Sequence, residues 1–97
     1  MKLVLKASAR RDLVEICEWY EAQKPGLGDE FLDEYSNVAV RIEEFPTAFH
    51  EVDADVRCAR LKRFPYLIFY KVEVEKLVGL AVIHQHRDPE FWRHRTS

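Results

Sequence analysis

Apolar residues recur every three or four positions in the first half of the chain and every second position in most of the second half. Leu3, Val4 and Leu5, flanked by Lys2 and Lys6, predict a short first strand. Ser8 then offers an N-cap, its hydroxyl placed to accept from an exposed N–H of the first helical turn. Leu13, Ile16, Cys17 and Tyr20 fall on one helical stripe, with Glu15, Glu18 and Glu21 off it. Pro25-Gly26 stops this helix, since proline removes a donor and glycine accepts a left-handed exit. A second helix is expected from near Leu27 or Asp29, with Phe31, Tyr35, Val38, Ile42 and Phe45 on its buried side and Pro46 as its end. Asp29, Glu30, Asp33 and Glu34 crowd its first half, where negative charge suits the positive end of the helix dipole. Two amphipathic helices joined by so short a link form an antiparallel hairpin.

Beyond Pro46 the period changes to two. Phe49 to Val52 fits a short strand, and Asp53-Ala54-Asp55 a turn. Val56 to Phe64 reads as a strand in which Arg57 and Arg63 share one face while Arg60 and Lys62 share the other with Val56 and Cys58. Pro65 breaks it. Tyr66 to Val74 is strongly β-forming and pairs naturally with its predecessor. Glu75-Lys76 turns the chain into Leu77–Ile83, an almost continuous apolar run that suits an interior strand buried on both faces. Asp88, as cap, and Pro89, at the first helical position, open a last short helix carrying Phe91 and Trp92. The expected fold is α+β, in the order β-α-α-β-β-β with a C-terminal helical turn.

Composition narrows the class without naming a function. The 97 residues are 47% hydrophobic and 33% charged, which fits one globular domain over residues 1–97 and excludes a disordered chain. No run approaches the roughly 18–20 apolar residues of a membrane span, and no signal-peptide core follows the first lysine, so a cytoplasmic protein is expected. Cys17 and Cys58 lack metal-ligand spacing and read as reduced, packed thiols. No cofactor or metal motif is present in the sequence. The net charge of −2 hides a division along the chain. Residues 1–56 hold six basic and 13 acidic residues, a net of −7, whereas residues 57–97 hold nine basic and four acidic, a net of +5. The second half therefore offers a surface for an anionic partner, or complements the first half within the fold.

A family resemblance joins these pieces. Ala9-Arg10-Arg11-Asp12-Leu13, Trp19-Tyr20 and Gly28-Asp29-Glu30-Phe31 resemble the helical hairpin of RelE/ParE-type toxins of type II toxin–antitoxin systems. Val56-Arg57, Phe64-Pro65-Tyr66, Ile68-Phe69-Tyr70 and His86-Arg87-Asp88-Pro89, with Trp92 and Arg95, are similar to that family's sheet and C-terminal signature. The resemblance runs from about residue 3 to residue 95. It implies a hairpin packed on one face of a curved, mainly antiparallel sheet. It also implies an antitoxin whose extended C-terminal segment wraps the toxin, with Leu13, Tyr20, Phe31, Tyr35, Tyr66 and Phe69 as the expected contacts.

The superfamily divides by target, and fold alone does not choose. RelE-type members cut messenger RNA on the ribosome; ParE-type members poison DNA gyrase by binding. Metal-free RNA cleavage needs a base for the 2′-OH, a cation for the phosphate and an acid for the leaving oxygen. Arg57, Arg63, His84, His86 and Glu51 are the candidates, guanidinium suiting phosphate and imidazole titrating near neutrality. Against this stand the acidic run His50-Glu51-Val52-Asp53-Ala54-Asp55 and the absence of a tyrosine after Tyr70. The acidic hairpin and the closing His-Gln-His-Arg-Asp-Pro-Glu-Phe-Trp look ParE-like, which implies no catalytic residues. Arg60, Lys62, Arg87, Trp92, Arg93 and Arg95, with His94, are then the surface offered to gyrase.

Overall fold

In the computed structural model, which describes residues 1–88 and 90–95, the two helices cover one face of a five-stranded sheet. The elements are β1 (Leu3–Leu5), α1 (Ala7–Gln23), α2 (Leu27–Glu44), β2 (His50–Asp53), β3 (Val56–Arg60), β4 (Tyr66–Val72) and β5 (Leu77–His84), closed by a 3-10 helix, Phe91–Arg95. The sheet order is β1-β5-β4-β3-β2. β2 to β5 form an antiparallel meander, β1 lies beside β5 in parallel, and the helical hairpin carries the chain from β1 to β2 at the opposite edge.

Two apolar layers result. Ile16, Phe31, Val38 and Ile42 of the helices pack on Ala59, Ile68, Tyr70, Leu77 and Val82 of the sheet. On the other face, Val56, Phe69, Leu80, Ala81 and Ile83 receive Trp92, whose ring stacks on Phe69 at 5.9 Å. A bulge in β5 explains how Leu80 and Ala81, though consecutive, join the same layer: Phe69 faces Ala81 but Tyr70 faces Gly79. Gly79 pairs with Leu5, whose Cδ2 fills the space beside it, so an added Cβ 2.3 Å away would oblige the leucine side chain to move.

The helices also finish the sheet's polar edges. Leu3 N–H donates to Glu43 Oε2 at 2.8 Å, and Val82 N–H, on the stretch of β5 that outruns β1, donates to Asp12 Oδ2 at 3.0 Å. Both carboxylates satisfy backbone donors that an open sheet edge would leave exposed. The hairpin turn works the same way. α2 has no cap of its own, and the Glu21 carboxylate accepts from Gly26 N–H and Gly28 N–H. Gly28 lets the helices meet, a Cβ there falling 2.8 Å from the Cys17 carbonyl oxygen.

Several boundaries differ from expectation. Ser8 is not the N-cap: α1 starts at Ala7, the capping position is Lys6, and no side chain caps it. The 56–64 strand ends at Arg60, because Leu61 N–H already turns back to the Tyr66 carbonyl. Arg63 therefore lies in the connecting loop rather than on the strand. The run at Phe49–Val52 is an edge strand, His50–Asp53, which adds a fifth strand to the sheet. Phe45, expected on the buried side of α2, is its C-cap and 61% exposed. Asp88 does sit at the entry to the last helix, its carboxylate accepting from Glu90 N–H, while Pro89 lies outside the described residues.

Candidate functional site

The C-terminal segment is fastened across the open sheet face by charge as well as by Trp92. Arg95 donates to both carboxylate oxygens of Asp12 and to the Leu80 carbonyl, and Lys6 Nζ donates to the Arg95 carbonyl at 2.6 Å. Arg93 pairs with Asp53 and Glu90. The Asp53 carboxyl is held below its usual range, chiefly by Ala54 N–H and then by Arg93. Phe91 lies between two guanidinium groups, Arg87 at 4.1 Å and Arg95 at 4.5 Å from its ring centre.

Of the residues expected to face a target, Arg60, Lys62, Arg87 and Arg93 are exposed. Trp92 is not a surface residue. It is 2% exposed and serves as the anchor of the tail. Arg95, its side chain 17% exposed, is tied to Asp12. Arg60, the last residue of β3, reaches Gln85 Oε1 at 2.8 Å, just past the end of β5, and has no ion pair among the described residues. Arg60, Lys62 and Arg63 border a small surface hollow with Gln85, which makes this end of the sheet basic.

The nuclease candidates fall into separate groups. Arg57, its side chain 20% exposed, donates to the Thr47 and Phe49 carbonyls and lies 4.0 Å from Glu51. With Tyr70, whose hydroxyl donates to the Pro46 carbonyl at 2.6 Å, it pins the link between α2 and β2. Arg63 is bound to Glu30, and its N–H to the Glu34 carboxylate. His84 and His86 do meet, their ring centres 5.2 Å apart, with His84 Nδ1 accepting from His86 N–H. Arg57 faces Tyr70 across the sheet and His84 faces Tyr66. Four residues of β4 separate those levels, about 13 Å at a strand rise of roughly 3.3 Å per residue.

Among the residues expected to meet an antitoxin, Phe31 and Phe69 are corrected. They are 0% and 3% exposed and belong to the core. Tyr20 and Tyr66 are half-buried, sharing with Phe31 and Phe64 a four-ring cluster with centroid spacings of 4.9–6.2 Å. Leu13 and Tyr35 are half-buried too. Burial raises the Tyr35 and Tyr70 hydroxyls to about 12 and the Cys58 thiol to about 11, so all three are protonated and inert at neutral pH. Sequence reasoning missed the exposed apolar positions Val14, Trp19, Leu32 and Val40, which lie off the periodic stripes. That mismatch, a large apolar side chain outside the helical period, was the signal available.

A family model for the ParE toxin of type II toxin-antitoxin system, parDE, matches residues 3–89. The chain belongs to the ParE toxin family. It is a toxin of the type II toxin–antitoxin class by that membership. Among solved structures it is similar to one described as a chromosomal ParDE toxin–antitoxin system from P. aeruginosa. The likeness has a TM-score of 0.76 at 17% identity and covers 87% of this chain and 95% of that one, which establishes the shared fold. No curated protein sequence matches the chain. No helix among the described residues is long and apolar enough to cross a membrane.

Proposed function

We propose that this ParE-family toxin acts in the cytoplasm by binding DNA gyrase, without catalytic residues of its own, and is neutralised by an antitoxin whose C-terminal segment wraps it. The observation that carries this reading is the dispersal of the nuclease candidates. Arg57 is spent on the α2–β2 link, with Glu51 beside it, and Arg63 on α2, while the histidines stand about 13 Å along the sheet from Arg57. That separation, with Arg63 already paired to Glu30, counts against RNA cleavage, whose three tasks need their groups within hydrogen-bond reach of one nucleotide. What supports a binding surface instead is the exposure of Arg60, Lys62 and Arg87.

The experiment is a supercoiling assay with purified gyrase and the purified toxin, repeated with the cognate antitoxin added. The reading predicts loss of supercoiling with accumulation of cleaved DNA, reversed by equimolar antitoxin. Full gyrase activity at saturating toxin, together with ribosome-dependent cutting of messenger RNA, would replace it with the nuclease.

A further inference from the structure

Where α1 meets the far end of β5, five rings follow one another across the surface. Centroid spacings are 5.1 Å from Trp19 to Tyr20, 6.2 Å to Tyr66, 5.3 Å to His84 and 5.2 Å to His86. Trp19 is 57% exposed, Tyr20, Tyr66 and His84 are half-buried, and His86 is exposed. A tryptophan held half in water on a continuous aromatic surface marks a contact site better than scattered apolar residues do.

Beside this ladder lies a cleft of about 170 Å³, with Glu15, Ile16, Tyr66, His84 and Arg87 among its lining residues. Drug-sized ligands need roughly 300–1,000 Å³, so the cleft has room for one side chain rather than a cofactor. Asp12, Glu15 and Ile16 line it from α1, and Trp19 stands one helical turn beyond Glu15. The charges around it are engaged in different ways. Asp12 is taken by Arg95 and Val82 N–H, and the Arg87 guanidinium lies over Phe91. Glu15 has no ion pair or hydrogen bond among the described residues.

We propose that this cleft is the anchor site for an arginine side chain of a protein partner. Its guanidinium would pair with Glu15 while its plane lies among the rings of Trp19, Tyr66 and His84. Aromatic faces attract cations through their quadrupole, and a planar guanidinium stacks on them while binding a carboxylate edge-on. Tryptophan, tyrosine and arginine dominate the residues that carry protein–protein binding energy. A ring ladder also suits single-stranded nucleic acid, but Glu15 and Glu18 on the helical side repel phosphate. The proposal does not require gyrase to be the toxin's target.

The test is a nuclear magnetic resonance titration of the full chain with N-acetyl-arginine amide, N-acetyl-norleucine amide and decauridylate. Saturable shifts of the Trp19 indole N–H with the arginine amide are expected, with the buried Trp92 indole unmoved and the norleucine amide without effect. Glu15→Gln, at an exposed position, should weaken arginine binding about three- to tenfold, as expected for a cation–π site with its ion pair removed, and leave the rest of the spectrum in place. Trp19→Ala should weaken it similarly by the shift of His84. The absence of saturable shifts, equal binding by Glu15→Gln, or shifts with decauridylate alone would overturn the proposal, the last making the ladder a nucleic-acid platform.

Discussion

Replacing Asp12 by alanine tests whether the tail and the sheet edge are held by one carboxylate. Three hydrogen bonds end on it: Val82 N–H at 3.0 Å and two from the Arg95 guanidinium. The Asp12 and Arg95 side chains are 15% and 17% exposed. An exposed ion pair contributes about 0–1 kcal/mol, but hydrogen bonds to a charged group shielded from water contribute about 1.5–3 kcal/mol. Asp12→Ala also leaves Val82 N–H without its acceptor and Arg95 without its counter-charge, so the expected loss is about 3 kcal/mol. A domain of this length holds about 5–15 kcal/mol in total. With a urea dependence of about 1.5–2 kcal/mol per molar, the midpoint should fall by about 1.5–2 M. Urea unfolding followed by the fluorescence of the buried Trp92 measures this directly. Asp12→Asn keeps one oxygen for Val82 and should lose about half as much. Arg95→Ala keeps the Val82 bond, and the double variant should cost about 1–2 kcal/mol less than the two single losses added together. An Asp12→Ala midpoint within about 0.3 M of the parent, or strictly additive losses, would refute the reasoning.

Three further outcomes follow from the same structure. Gly28→Ala should destabilise by about 1–2 kcal/mol in thermal or urea unfolding. The gain of up to about 1 kcal/mol in helix propensity is outweighed by overpacking against the Cys17 carbonyl; a more stable variant would show that the helices can move apart. Tyr70 and Tyr35 have folded pKa values raised to about 12, so the folded state binds protons that the unfolded chain has lost. Their contribution to stability is then complete below about pH 10 and lost as the pH rises towards 12. Tyr70→Phe should flatten that alkaline decline in a pH series of unfolding midpoints, and an unchanged slope would count against it. Charge reversal at Arg60 and Lys62 should weaken gyrase inhibition at least tenfold without changing the unfolding midpoint by more than about 0.5 kcal/mol, as exposed surface positions allow; equal potency would remove the basic end from the target surface.

The hairpin and the meander were legible because burial on one face imposes a period on the sequence. Leu13, Ile16 and Tyr20, and Phe31, Val38 and Ile42, point inward as their spacing requires. Strand ends were less legible, since Leu61 and Phe64 stay buried after the ladder has ended, and an alternating pattern does not reveal where hydrogen bonding stops. The parallel pairing of β1 was invisible for a related reason: Leu3–Leu5 would look the same in either direction. Apolar character also failed to separate core from contact surface. Phe31 and Phe69 lie in the interior, whereas Trp19, off the stripe, and Phe45, at the end of α2, are exposed rings. Arg57 and Arg63 were attractive as phosphate ligands by residue type. Only the fold shows that their donors end on backbone carbonyls and on Glu30.

We propose that this ParE-family toxin disables gyrase by contact rather than cutting RNA. Brief expression without antitoxin, with DNA integrity and messenger RNA followed in the same cells, tests it most directly. The account predicts broken DNA and an SOS response with messenger RNA intact, unchanged when His84 or Arg57 becomes alanine in a variant that still folds. Ribosome-dependent cuts in messenger RNA with DNA intact, abolished by those same substitutions, would contradict it.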